Sequence, residues 1–399
     1  MTNLVAARPH RDRPTWAGYI LLTSYVWFVY AFSSSQALVR DEQGTSRTIA
    51  SLHVIVLSVG GIIAGLIAAR LIVKLGRDRF IIFSVAGLAA GVLLYTAPGG
   101  IILTLSGSFI ASFFGSAVIV GGSAFLFDHQ KEAGPASITE ANAIAALSGA
   151  LAPIAVGVGA SIFLGWRIGV WITLLGLLIG LLFMRNNLPV FRVPVDEQVR
   201  EAQKVPFPRR FWWALGTLFI LISSEFILTL WSVDLLRDRG GLEAGAAAAT
   251  VGALTFGIFM GRLIGSRFAE YFPVDRILSI AVLITFSGWL IVWLNTSAPI
   301  MIGGLVISGI GVALFWPMGI SRLVMASGGQ NDRATALGAV AGASAGGVGP
   351  FALGALADAI GVHSAFLVLP FVLFFGLFLV IIKPVTKTIE PETTPNSVT

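Results

Sequence analysis

Twelve apolar runs dominate the chain, at 16–38, 48–73, 79–98, 100–127, 136–163, 166–184, 211–234, 244–272, 277–295, 299–323, 335–358 and 363–383. A helix rises about 1.5 Å per residue, so a run of ~20 residues spans a ~30 Å hydrocarbon core. Lipid offers the backbone no hydrogen-bond partner, so each run must satisfy its own backbone as a helix. Composition agrees, with 56% hydrophobic and 12% charged residues against ~25% charged in a soluble domain. Mean hydropathy is +0.88. The fold class expected is an all-α integral membrane protein with twelve transmembrane helices.

A duplication constrains the arrangement further. LIAARLIVKLGRDRFI at 66–81 and LIGSRFAEYFPVDRIL at 263–278 align at an offset of 197 residues, pairing Leu66 with Leu263, Arg70 with Arg267, Asp78 with Asp275 and Arg79 with Arg276. The same offset pairs Pro153 with Pro350 and Gly157 with Gly354. Small residues recur every fourth position at Gly60, Ala64 and Ala68 and again at Gly257, Gly261 and Gly265, with a further set at Gly338, Gly342 and Gly346. Such stripes let membrane helices approach closely. Two pseudo-symmetric six-helix bundles are expected, at 16–184 and 211–383. The Pro- and charge-rich segment 185–210 links them, and the tails are 1–15 and 384–399.

The net charge of +6 and pI near 10.0 do not point to nucleic acid, because the basic residues fall in short turns rather than one patch. About twenty of the 26 Lys and Arg lie in the tails, the linker and alternate turns, leaving Arg40, Arg47, Arg167, Arg237 and Arg239 in the opposite turns. That bias places both termini in the cytoplasm of a cell-membrane protein. The absence of cysteine excludes disulfides, iron–sulfur clusters and thiol nucleophiles. The first apolar run has no convincing cleavage site and is expected to stay as a span.

Six plus six helices, a central linker and a basic turn after the second helix of each half resemble the major facilitator superfamily. Its 2–3 turn signature, Gly-x-x-x-Asp-Arg-x-Gly-Arg-Arg/Lys, is matched at Lys74, Gly76, Arg77 and Arg79, while Ala69 stands for the first Gly and Val73 for the Asp. In the second half Glu270 keeps the acidic position, and Tyr271 and Pro273 depart. The resemblance implies a cytoplasmic gate at Arg70, Lys74, Gly76, Arg77, Asp78, Arg79, Arg267, Glu270, Asp275 and Arg276, with a solvated charged turn as the alternative. Partners for the first-half members are expected at Asp128, Glu132 or Glu140. An exporter-type fourth-helix Arg is replaced by Ala111, and Ser148, Ala152, Pro153 and Gly157 keep only part of the fifth-helix antiporter pattern. Glu225 with Trp231, GRLIG from Gly261 and GVALFWPMGIS from Gly311 are similar to the fucose-permease-like branch. The resemblance implies two bundles rocking about a midplane substrate site.

Glu225 is the leading chemical candidate, about fourteen residues into the seventh run. A carboxylate there costs at least ~2.5 kcal/mol to insert, so it serves either as a proton carrier or as a hydrogen-bonded structural group. Thr229 and Ser232, at i+4 and i+7, share its face. The first run carries Tyr19, Thr23, Trp27, Tyr30 and Ser34 along one stripe. Thr23, Trp27 and Tyr30 are expected in the cavity, where the aromatics stack on or hydrogen-bond a solute; helix packing is the alternative. Trp316 stands beside a kink at Pro317 and is expected in the cavity, with packing around the bend as the alternative. Arg262 either snorkels to the interface or partners an anion. His53 either titrates in the cavity or packs as a polar core group.

The function expected is secondary active transport of a small organic solute by alternating access, coupled to protons through Glu225. No cofactor and no metal are expected. The partners are a small-molecule substrate, protons and the lipid bilayer, without nucleic acid, and the chain is expected to act as a monomer. The alternative within transport is a proton-driven exporter of drugs or metabolites, against which Ala111 counts. A passive channel fits the two-fold repeat less well. An enzyme is not expected: His10, His53, His129 and His363 are scattered without metal-ligand spacing, and no GxxxxGK[ST] loop occurs.

Overall fold

The computed structural model describes residues 9–162, 165–191, 206–268, 272–328 and 331–385. Most of the linker, the ends of both tails and Glu270 therefore lie outside the described residues. The helices are α1 (Arg13–Gln43), α2 (Arg47–Leu75), α3 (Arg77–Thr96), α4 (Ile101–Gln130), α5 (Gly134–Ser161), α6 (Arg167–Arg185), α7 (Arg209–Gly240), α8 (Ala244–Ala249), α9 (Val251–Phe268), α10 (Val274–Leu294), α11 (Ala298–Val312), α12 (Phe315–Ala326), α13 (Asn331–Ile360), α14 (Val362–Ala365) and α15 (Val368–Ile382). Pairing α8 with α9, α11 with α12 and α14 with α15 makes twelve spans in two groups of six.

Two of these breaks have a local cause. Pro317 has no N–H for the carbonyl of Ala313, four residues back, and its ring crowds that turn. The tenth span divides there into α11 and α12. Pro370 stands in the same relation to Phe366, between α14 and α15. The kink expected beside Trp316 falls one turn earlier, where Ala313 and Leu314 interrupt the helix while keeping right-handed backbone.

Among the described residues, eleven spans are long and apolar enough by composition to cross a bilayer. The exception is α1, whose length suffices but whose polar residues lower its hydropathy. Ser33, Ser34, Ser35 and Gln36 are all buried. Ser33 and Ser34 donate to the carbonyls of Val29 and Tyr30 at 3.0 Å, and Ser35 and Gln36 meet the Tyr95 hydroxyl at 2.8 and 3.0 Å. A span that places its polar groups against protein does not need an apolar surface all round.

Capping sets the turns. Asp12 accepts from the Thr15 N–H at 3.0 Å at the start of α1. Gly76 alone joins α2 to α3 at φ +82, a conformation L side chains rarely adopt, which makes the expected tight hairpin. Gly44 and Gly241, 197 apart, close α1 and α7 in left-handed conformations.

The repeated small residues are contact points. A Cβ on Gly60 would fall 2.7 Å from the Phe109 carbonyl oxygen, and one on Gly257 would fall 2.2 Å from that of Val306. The stripes therefore dock α2 on α4 and α9 on α11 at equivalent places in the two halves. Gly257→Ala is expected to lower the melting temperature of the purified protein by several degrees, since overpacking against backbone costs about 1–3 kcal/mol. Gly65→Ala, with nothing within 4 Å of the new Cβ, is the neutral control. Equal melting temperatures for the two variants would refute the packing role.

Candidate functional site

A cavity of about 250 Å³ lies between the halves, lined by Val26, Val29, Tyr30 and Ser33 of α1, Asn142, Ala145 and Ala146 of α5, Glu225, Phe226 and Thr229 of α7, and Arg262 of α9. The α1 residues stand at i, i+3, i+4 and i+7, one helical face. Glu225, Arg262 and Tyr30 line the same space. Among the described residues neither charge has an opposite partner within 4.0 Å. The Thr229 hydroxyl donates to the Glu225 backbone carbonyl at 2.9 Å, and the Asn142 amide donates to the Ile138 carbonyl at 3.0 Å.

The structure brings Glu225, Thr229, Tyr30 and Arg262 together and places the other cavity candidates elsewhere. Trp27 donates its indole N–H to the Gly169 carbonyl at 2.8 Å. With Thr23 it lines a separate apolar crevice against α5 and α6. At 100° per residue, Trp27 lies roughly 110° round α1 from the centre of the cavity face, and Tyr30 sits at the edge between the two. Ser232 is fully buried about 10 Å along α7 from Glu225 and does not line this cavity. Trp316 packs on Gly342 of α13. His53 is fully buried, its ring nitrogens 2.9 Å from the Ala50 carbonyl and 2.7 Å from the Thr104 hydroxyl, so it ties α2 to α4. Asn142 and Ser33 join the cavity without having been marked by any motif.

The two ends of the molecule differ. At the end bearing the termini, the ion pairs between described residues stay within one half: Arg11 with Glu140 at 2.9 Å, Arg77 with Asp128 at 2.7 Å, and Arg322 with Asp275 at 2.8 Å. Of the expected gate, Arg77 meets Asp128 as anticipated. Asp78 is buried, Arg70, Lys74 and Arg79 are exposed, and Arg276 lies over the Phe272 ring. Arg322 was legible only as a topology signal, yet it is 1% exposed and also donates to the Lys383 carbonyl at 2.6 Å. The side chains of Arg267 and Glu132, like Glu270, fall outside what is described.

At the opposite end, ion pairs cross between halves. Arg40 of α1 pairs with Asp234 of α7, Arg47 of α2 approaches the same carboxylate at 3.6 Å, and Arg237 of α7 meets Asp41 at 2.6 Å. Asp358 of α13 accepts from the backbone N–H groups of Arg47 and Thr48 at 3.0 and 2.7 Å, capping α2 from the other half. Beside this seam, Arg167 hydrogen-bonds Glu42 and holds its carboxyl below the usual carboxylate range. Small residues close the rest: a Cβ on Gly157 of α5 would fall 2.5 Å from the Gly245 carbonyl oxygen of α8. The sequence held a signal, since Arg40-Asp41 recurs 197 residues on as Arg237-Asp238. The halves are thus sealed at the end away from the termini. Asn142 and Arg262, toward the terminal end, are exposed.

Two six-helix bundles sealed at one end around a charged central cavity define a carrier-type membrane transporter. The sequence model of the Major Facilitator Superfamily matches residues 17–273 and 213–398, and the chain belongs to that superfamily. Among curated proteins, none matches it by sequence. Solved structures share the fold. The peptide transporter POT in complex with alafosfalin has a TM-score of 0.76 at 12% identity, covering 96% of this chain and 98% of that one. A bacterial homologue of the human lysosomal transporter Spinster, inward-facing and unoccupied, scores 0.71 at 14%, covering 94% and 97%. The E. coli fucose:proton symporter FucP scores 0.60 at 18%, covering 93% and 98%.

Removing one partner of a buried pair costs about 3–5 kcal/mol, which applies to Asp234. Losing an exposed helix cap costs about 0.5–2 kcal/mol, which applies to Asp358. Asp234→Asn is therefore expected to open the sealed end strongly and Asp358→Asn to open it less. With no native cysteine, spin labels at Gly100→Cys and Ser297→Cys, in turns of opposite halves at that end, report the opening directly. Longer inter-label distances in both variants are expected; distributions identical to the parent would show that the seam does not hold the halves together.

Proposed function

We propose that the chain is a secondary active transporter that moves a small organic solute by alternating access and couples it to protons through Glu225. The observation that carries this reading is the Glu225 carboxylate, placed in the cavity between the halves without an ion-pair partner among the described residues. A carboxylate so placed takes up and releases protons in response to which side the cavity faces, whereas a structural carboxylate would be tied down by neighbouring donors.

The turns and tails rich in Lys and Arg support a cytoplasmic terminal end. The seam of Arg40, Asp234, Arg47 and Asp358 then lies outside, and the arrangement described is inward-open. Alternating access requires that seam to part while the terminal end closes. The cytoplasmic gate for that second state draws on the exposed Arg70, Lys74 and Arg79, and on Arg267 and Glu270 of the second turn.

The experiment begins with a thermal-shift screen of the purified protein against sugars, organic acids, amino acids and common antibiotics. With a stabilising solute in hand, Glu225→Gln is expected to abolish its accumulation in proteoliposomes driven by a pH gradient while preserving counterflow exchange. Accumulation that keeps its pH dependence in that variant would refute the coupling role.

A further inference from the structure

Among the described residues, Arg262 and Glu225 are the two full charges lining the cavity, on α9 and α7. The remaining polar groups there are Tyr30 and Ser33 from α1, Asn142 from α5 and Thr229. An arginine stays charged at any pH the protein meets, whereas a carboxyl can be neutralised by a proton. In the open cavity water solvates both. When the halves close and water leaves, an uncompensated charge becomes expensive.

That asymmetry restricts which occluded states are accessible. With Glu225 ionised and the cavity empty, Arg262 and Glu225 cancel. With Glu225 protonated, the guanidinium needs an anion from elsewhere. Arg262 with protonated Glu225 and no ligand carries a net positive charge; Arg262 with ionised Glu225 and an anionic ligand carries a net negative one. Both are disfavoured in a low-dielectric enclosure. Two neutral states remain, one empty and one holding a proton together with a monoanion.

We infer that the cavity takes a small organic oxyanion of single charge, a monocarboxylate or a phosphate ester in its monoanionic form, which Arg262 binds in place of Glu225, with one proton carried on Glu225 for each anion. This deepens the proposed function and rests on its assignment of Glu225. The planar guanidinium presents paired donors suited to either oxyanion. A volume of about 250 Å³, below the ~300–1,000 Å³ typical of drug-sized ligands, favours a solute of simple-metabolite size. Transport on this scheme is electroneutral, driven by a pH gradient and indifferent to membrane potential.

The test uses the full-length protein, first in detergent. Lactate, benzoate and gluconate serve as carboxylates, glycerophosphate and inorganic phosphate as phosphates, and glucose, inositol and choline as neutral or cationic controls, with thermal stability read at several pH values. At least one oxyanion is expected to stabilise the protein, and which arm responds separates carboxylate from phosphate. Its affinity should fall by about tenfold per pH unit once Glu225 is ionised, the limit for one linked proton. Glu225→Gln should remove that pH dependence and keep binding. Arg262→Gln should weaken binding at least tenfold, and Arg262→Lys, which keeps the charge, should restore part of it, with unliganded melting temperatures reporting that the variants fold. In proteoliposomes a potassium–valinomycin potential should leave uptake unchanged.

Failure of the whole oxyanion panel, stabilisation by glucose, inositol or choline alone, full oxyanion affinity in Arg262→Gln, or uptake driven by potential would each overturn the inference. A neutral solute whose pH-driven uptake is lost in Glu225→Gln would leave the coupling proposal standing and remove the oxyanion. An oxyanion bound through Arg262 whose pH-driven uptake survives Glu225→Gln would do the reverse.

Discussion

A charge inside a bilayer must find an opposite charge or water, and this protein is arranged around that requirement. Arg322 is held by Asp275 and by two carbonyls near the end of α15. Arg77 is held by Asp128, and Arg40 by Asp234. Each of these pairs ties one helix to another, and where it ties a helix of one half to a helix of the other it also defines which end is shut. Glu225 and Arg262 break the pattern by facing the same space without closing on each other. Their separation is compatible with a cavity that water can enter, since Arg262 and Asn142 beside it are exposed, and the proposed coupling rests on that separation.

The duplication explains how one architecture carries both arrangements. Backbone features are repeated faithfully: the glycine contacts of α2 with α4 and α9 with α11, the left-handed caps at Gly44 and Gly241, the prolines within α5 and α13. These set the shape of a bundle and belong to both halves alike. Charges are not repeated in the same way. In the first half the arginine is on α3 and the aspartate on α4; in the second the aspartate is on α10 and the arginine on α12. Glu225 and Arg262 both come from the second half, while the first contributes Tyr30, Ser33 and Asn142. The halves thus share a scaffold and divide the chemistry.

Much of the fold was legible because it depends on local rules. Run length and hydropathy define helices in lipid, and Gly76, Pro317 and the small-residue stripes act on backbone within a turn or two. The site was legible in part. Glu225 and Arg262 stand out because charge is rare in such a chain. Tyr30 was found through a polar stripe that turned out to straddle two faces, which is why Trp27 and Thr23 point into a different crevice. The cavity face of α1 contains Val26 and Val29, which in a membrane helix look like lipid-facing residues. Asn142 is one polar residue in a run of small ones, with nothing in its neighbours to set it apart.

By itself the sequence determined that the chain is a twelve-span membrane protein of two related halves and that Glu225 and Arg262 are costly enough to need a reason. These follow from transfer energies and helical period, which act residue by residue. Only the tertiary structure decided that those two residues face one cavity, that His53 and Trp27 hydrogen-bond neighbouring helices away from it, and that Arg40, Arg47, Arg237, Asp41, Asp234 and Asp358 join the halves at one end. Partners in a helical bundle are chosen by how helices from distant parts of the chain are rotated and docked, and an arginine in a turn reads the same in sequence whether it faces water or a carboxylate nearly 200 residues away.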